Sequence, residues 1–352
     1  MKRYLFLDLL KAIALIEMIH GHTLDALLSF SQKSSHFWIF WQNIRGFTAP
    51  LFLFASGIAF SISTLKRKEY FYISKKLLDR IRRIFFIIML GYALHLPYFS
   101  LRKILFDLNF SDLNNFFNFD ILQCIGISIL ILQIFYFISK DEKIFLKLVS
   151  FLTISFFFLT IYVSKNNLNL PLFLLKFFKN SLFPLTPFSI YLFSGCILGY
   201  FFLSYKNQNI FFFFSLFSFL IFLIFKIFSF KLDIIFLRIS VLSFISFLLF
   251  YLENSKANFL KILQIFGKES LIVYFWHLPV VYGWVLNKGL RHYFSGKLSF
   301  SEVYLIFLLI LIFFFLFTIF INHLKEKNKE IFSKIKYFVY FSFLAPFIFR
   351  SY

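Results

Sequence analysis

Two cysteines, Cys124 and Cys196, are all that the 352 residues contain, and both lie inside apolar segments, so neither points to a disulfide framework. Charge is scarce as well. Only 15% of residues are Asp, Glu, Lys or Arg, whereas 60% are hydrophobic. Soluble domains hold about 45–50% apolar residues, so a soluble globular protein is excluded. Short segments of alternating polarity are missing, which excludes a β-barrel. Lys2 and Arg3 precede an apolar run as in a signal peptide, but Asp8 and Lys11 interrupt it and no small-residue cleavage site follows. This run is therefore expected to remain as a first span. No compositional break divides the chain, and residues 1–352 read as a single integral-membrane domain.

Apolar runs such as Ile210–Phe225, Ile234–Leu252 and Val303–Ile321 approach the roughly 20 residues that a helix needs to cross a bilayer. The fold class is all-α, a polytopic transmembrane helical bundle. Ten spans are expected, at 4–28, 46–64, 84–101, 120–138, 144–163, 184–204, 210–228, 234–252, 270–287 and 302–323. A short apolar tail at 337–349 is either an eleventh span or a helix lying on the surface. The 63 Phe residues rise together with Ile, Lys and Asn, as nucleotide bias produces, and are assigned no function.

The formal net charge is +21, with its basic residues concentrated in loops. Lys66, Arg67, Lys68, Lys75, Lys76, Arg80, Arg82 and Arg83 face only Glu69 and Asp79 between positions 65 and 83, and a second basic stretch, from Lys325 to Lys336, follows the tenth span. The loop from Arg102 to Asp120 is acidic by comparison. A cytoplasmic N-terminus places both basic stretches inside the cell, consistent with a multi-pass protein of the inner membrane. Topology accounts for the charge, and nucleic acid is not an expected partner; the lipid bilayer is.

The first span is anomalous for lipid, because it carries Asp8, Lys11, Glu17, His20, His22 and Asp25. Each Asp or Lys in hydrocarbon costs roughly 2.5–3.5 kcal/mol on insertion scales, and such residues mark interior pathways or sites. At about 100° per residue, Lys11 and His22 lie about 20° apart in direction and about 16 Å apart along the axis. Asp8, Met18 and Asp25 fall near the same line, giving a polar stripe that crosses the membrane. His20 points about 160° away from His22, and metal pairs on helices need i,i+4 spacing, so no metal is expected at His20-Gly21-His22. Glu17 and His20, at i,i+3, read as a structural pair. His22 reads as the catalytic group, an imidazole suited to accept and return a proton, with Asp25 one turn on to orient it.

Asp79-Arg80-Ile81-Arg82-Arg83 is either positive-inside anchoring or an arginine fork for phosphates. Arg45, near the start of the second span, either snorkels to the interface or reaches the depth of His22. Ser270, Tyr274 and His277 share one face of the ninth span, and His95 stands as a lone further candidate.

Leu7-Asp8-Leu9-Leu10-Lys11-Ala12-Ile13-Ala14, then His22, then Arg45-Gly46-Phe47-Thr48-Ala49-Pro50 through Ser56-Gly57 resemble the opening of membrane acyltransferases related to heparan-α-glucosaminide N-acetyltransferase and the bacterial type-3 acyltransferases. Lys11 and His22 fit that superfamily's Arg/Lys, ten residues, His motif, and Arg80 and Arg83 fit its Arg-x-x-Arg. The segments 183–188, 195–200, 267–271 and 277–279 also look familial, whereas 130–180 matches only in patches. Lys11 departs from the Arg usual in type-3 members, so no bidentate contact is implied there.

The resemblance implies transfer of an acyl group, usually acetyl, from cytoplasmic acyl-CoA to an acceptor, commonly a sugar, on the far side. It implies acyl-CoA phosphates at Arg80 and Arg83, Lys11 along the route, and His22 as base. Arg45, Tyr274 and His277 are the expected acceptor-side contacts, acyl-CoA and a glycan the expected partners. The rival reading is a transporter or flippase that uses the intramembrane charges as a path. No inverted repeat supports it.

Overall fold

The computed structural model describes residues 3–350 apart from 66, 68–71, 167–168, 230–231, 256 and 285–286. Lys2, Lys66, Lys68 and Glu69 of the charge balance lie outside the described residues. In chain order the helices are α1 (Leu5–Leu27), α2 (His36–Arg45), α3 (Thr48–Thr64), α4 (Lys75–Leu94), α5 (Leu101–Phe106), α6 (Phe110–Phe116) and α7 (Ile121–Ser139). Next come α8 (Glu142–Lys165), α9 (Leu172–Phe178), α10 (Leu185–Tyr205), α11 (Asn209–Ile227) and α12 (Asp233–Phe250). The last are α13 (Asn258–Lys268), α14 (Ser270–Tyr282), α15 (Leu290–Phe294), α16 (Phe300–Lys327) and α17 (Lys329–Phe349). Strands β1 (Gly283–Trp284) and β2 (Asn287–Lys288) make a small antiparallel hairpin.

Helix dominates because lipid offers no partners to backbone N–H and C=O groups, so each span must satisfy its own. Polar side chains mark several starts. Ser74 accepts from the Leu77 N–H at the head of α4, Asp141 caps α8, and Asp120 with Gln123 forms a capping box on α7. Eight segments among the described residues are long and apolar enough to cross a membrane: α2 with α3, α7, α8, α10, α11, α12, α16 and α17. At 23 and 20 residues, α1 and α4 have the length for a span but carry more charge.

Three expectations change. The third span starts at Lys75, so Arg80 and Arg83 lie inside α4 and not in a loop before it. The tail is a 21-residue helix, not a short one. The expected ninth span, 270–287, is a 13-residue helix that stops where Gly283 takes a left-handed φ of 84° and opens the hairpin. α13 precedes it directly, with Glu269 between, and both halves pack along α1 as one interrupted path.

The chain forms two compact units. The first combines Lys2–Thr48 with Leu249–Pro346 and has α1 at its centre, packed on α13, α14 and α16. Residues all round α1 are buried, Phe6, Leu10, Ala14, Ile19 and Leu24 among them, as befits an interior helix. A Cβ on Gly267 would collide with the Asp8 carbonyl, so the backbones of α13 and α1 touch. Glu269, at the break, is held by an ion pair with Lys325 of α16, and Lys268 donates to Asn322 at 2.6 Å.

The second unit combines Ala49–Leu248 with Phe347–Tyr352. In it, α4 packs on α7, and α10 on α7, α8 and α11. α3 and α10 meet through glycines: a Cβ on Gly57 would strike the Leu192 carbonyl, and one on Gly195 the Phe54 carbonyl. Small residues let helix backbones approach where lipid supplies no hydrophobic drive. At one end of this unit the segments 117–120 and 171–184 pack together. The Phe183 N–H donates to the Phe119 carbonyl at 3.1 Å, and Lys176 donates to Asn118 at 2.9 Å.

Candidate active site

His22 of α1 lies beside the second half of the interrupted path. Its Nδ1 is 2.9 Å from the Tyr282 hydroxyl at the end of α14, and its ring centroid is 5.2 Å from that of His277. His277 is fully buried. Its Nδ1 lies 3.1 Å from the Val273 carbonyl, which can only accept, so Nδ1 carries the hydrogen. The other nitrogen, Nε2, is then an acceptor, and it is buried with no hydrogen-bond partner. Tyr274 stands 5.8 Å from the His277 ring. Arg291 of α15 lies 5.8 Å from the Tyr282 ring.

Arg45, the last residue of α2, reaches back over α1. A Cβ on Gly21 would come within 3.4 Å of Arg45 Nε, so glycine leaves room for the guanidinium next to His22. Arg45 Nη1 donates to Asp25 at 2.6 Å, and a second contact joins Nη2 to the other carboxylate oxygen. Lys33 donates to the Asp25 backbone carbonyl at 2.7 Å. The expected contact in which Asp25 orients His22 is not made. The carboxylate is committed to the bidentate guanidinium, and the Tyr282 hydroxyl meets the imidazole instead. Asp25 therefore contacts Arg45 and not the imidazole.

Along the stripe toward the other end of α1, Arg3 grips Asp8 through Nε at 2.6 Å and Nη2 at 2.9 Å. Lys11, one turn on, is half-buried and has no hydrogen-bond or ion-pair partner among the described residues. On the opposite face, His20 sits among Trp41, Tyr304 and Phe307, with ring centroids 4.3, 5.0 and 4.7 Å away. The expected Glu17–His20 pair is not made. Glu17 Oε2 and His20 Nε2 are both buried without hydrogen-bond partners, and the histidine is held by rings instead.

In the second unit, Arg80 closes on the end of α3. It donates to Thr64 and, at 3.1 Å, to Gln133 through Nη1, and to the Ser63 carbonyl and hydroxyl at 3.2 and 3.0 Å through Nη2. Its guanidinium also lies 5.5 Å from the Phe60 ring. Arg83 is exposed on the same helix. The two arginines thus differ: one braces the end of α3, the other is exposed. Among the described residues no group of three or more His, Cys, Asp or Glu could hold a metal ion.

Tyr282 and Arg291 had no signal in the sequence. Tyr282 is 260 positions from His22 and shares no helical face with His277. Only the closing of the first unit brings them together.

A helix-built, multi-pass membrane protein with two histidines meeting in a buried polar cluster is the class that fold and site define. The family described as heparan-alpha-glucosaminide N-acetyltransferase, catalytic, matches residues 3–228, and the chain belongs to that family. It is accordingly a membrane acetyltransferase-like protein. No curated protein and no solved structure matches it. The matched stretch includes Lys11, His22, Arg45, Arg80 and Arg83, and ends before His277 and Tyr282.

Proposed function

We propose that this protein moves an acyl group, acetyl in the simplest case, from cytoplasmic acyl-CoA to a hydroxyl or amine of a sugar on the outer side of the inner membrane. The observation that carries this reading is the His22 cluster, with its imidazole between Tyr282 and His277 and flanked by Arg45. The matched residues draw on both compact units, which supports treating the chain as one catalytic domain.

His22 is the general base. In the tautomer that donates Nδ1–H to the Tyr282 oxygen, Nε2 keeps its lone pair. It takes the proton from the acceptor hydroxyl or amine as that group attacks the thioester carbonyl. The C–S bond breaks, the acyl group passes to the acceptor, and the proton leaves with the coenzyme A sulfur. Tyr282 and the Asp25–Arg45 pair are positioning groups in this scheme, and Arg45, Tyr274 and His277 line the acceptor side. Lys11, a half-buried cation, attracts the anionic donor. Arg83 meets its phosphates directly, and Arg80 joins by giving up Ser63 or Gln133. The basic loop residues support a cytoplasmic N-terminus.

The test uses purified protein in lipid nanodiscs with labelled acetyl-CoA. Wild type should consume acetyl-CoA, His22→Ala should bind without turning it over, and Arg80→Ala should raise the concentration needed. The reading is falsified if wild type neither binds nor consumes any acyl-CoA.

A further inference from the structure

The end of α1 that carries His22 is rich in cations. The segments 28–45 and 283–302 supply Lys33, Arg45, Lys288, Arg291 and Lys297, and a single carboxylate, Glu302. The two segments are joined, because the Ser29 N–H donates to the Leu298 carbonyl at 2.9 Å and the Leu298 N–H to the Leu27 carbonyl at 3.2 Å. Nearby carboxylates are already engaged. Asp25 holds Arg45, and Glu302 accepts the Ser299 N–H and hydroxyl at 2.7 Å each. Membrane anchoring does not account for the excess. The positive-inside rule puts bases at the cytoplasmic end, and this is the opposite end in the orientation proposed above.

Arg291 is the cation best placed for a ligand. It is exposed on α15, and its guanidinium lies over the Tyr282 ring, 5.8 Å from the centroid. None of its N–H groups meets a carboxylate, carbonyl or hydroxyl among the described residues. The hydroxyl of the same tyrosine is 2.9 Å from His22 Nδ1. Tyr282 and His22 are half-buried, so every member of this row carries some accessible surface. A pyranose is a six-membered ring edged with hydroxyls. It has the reach of the tyrosine ring that stands between the guanidinium and the imidazole.

We propose that Arg291 sets acceptor specificity at this site: it pairs with a carboxylate or phosphate of the acceptor, so that the molecule acylated is an anionic sugar. The guanidinium fork matches the two oxygens that either anion presents. Lys33 and Lys288 add to the positive potential, which draws such an acceptor toward His22. That the ligand is a sugar rests on the transfer proposed above, but its charge preference is measured without any transfer.

The experiment titrates two glycosides into the full chain in phosphatidylcholine nanodiscs, without acetyl-CoA, and follows binding by saturation-transfer NMR. Methyl α-D-glucuronide and methyl α-D-glucopyranoside share their ring hydroxyls and differ by a carboxylate. The uronide should half-saturate the protein at an about fivefold lower concentration, the worth of one partly exposed ion pair. Arg291→Gln should abolish that preference, and Arg291→Lys should keep part of it. Salt at about 1 M, where the Debye length is about 3 Å, should erase it in wild type. Glucosyl phosphate in place of the uronide tells a phosphate site from a carboxylate site, and a preference for either anion supports the proposal. Equal binding of the neutral glycoside and both anions overturns it, as does a preference that survives Arg291→Gln. Phosphatidylglycerol added to the nanodiscs should leave the preference in place; its disappearance would assign Arg291 to lipid headgroups and overturn the proposal too. A wild type that keeps the preference but consumes no acetyl-CoA would count against the acyltransferase reading alone.

Discussion

His20 and His22 sit two residues apart on one helix, and their surroundings have almost nothing in common. His22 meets a hydroxyl, a second imidazole and a guanidinium. His20 meets three aromatic rings and leaves a buried nitrogen unsatisfied. Residue type and depth are the same in both cases. What differs is direction: a rotation of about 160° decides which helices each ring faces. The second imidazole and the guanidinium stand on the His22 side.

That contrast can be broken experimentally, most severely at His22. His22→Ala should lower kcat/KM for acetyl transfer by about 10²–10⁴, the usual worth of a positioned base. Retention of full transfer would move the base elsewhere, with His277 next. Tyr282→Phe should lower transfer by about fivefold, the worth of one hydrogen bond to the imidazole, with acetyl-CoA binding unchanged. Arg45→Lys loses the bidentate grip on Asp25, but both side chains are partly exposed, so stability should fall by less than about 1 kcal/mol in thermal unfolding. The smallest effect belongs to His20→Phe. It removes an unpartnered buried nitrogen from an aromatic surround, so transfer should match wild type and the melting temperature should not fall. Equal damage from His20→Phe and His22→Ala would erase the distinction between the two faces.

The helical class and the stripe on α1 were legible because both are local: apolar length marks a span, and an eleven-residue spacing aligns Lys11 with His22. Of the residues beside His22, Arg45 and His277 were among the sequence candidates, whereas Tyr282 was not legible. It comes from the other end of the chain, and no periodicity links it to α1. Asp25 was within reach of His22 in sequence, but a guanidinium from α2 made the stronger pair. The ninth span was overdrawn for a different reason. Apolar composition continues through Gly283 and Trp284, whereas the backbone turns at the positive φ of Gly283. His95 misled in the opposite sense, since its companions lie in the connection after α6 and at the head of α7.

The glycine contacts between α3 and α10 bear on how such a chain tolerates drift. Phe151, Phe158, Phe213, Phe217, Phe313 and Phe320 are all more than half exposed, where fluid hydrocarbon accepts one bulky ring as readily as another. At Gly57 and Gly195 even a methyl group collides with a neighbouring carbonyl. A mutational pressure toward phenylalanine can therefore repaint the outside of this protein almost without limit, and it halts at a seam two hydrogens wide.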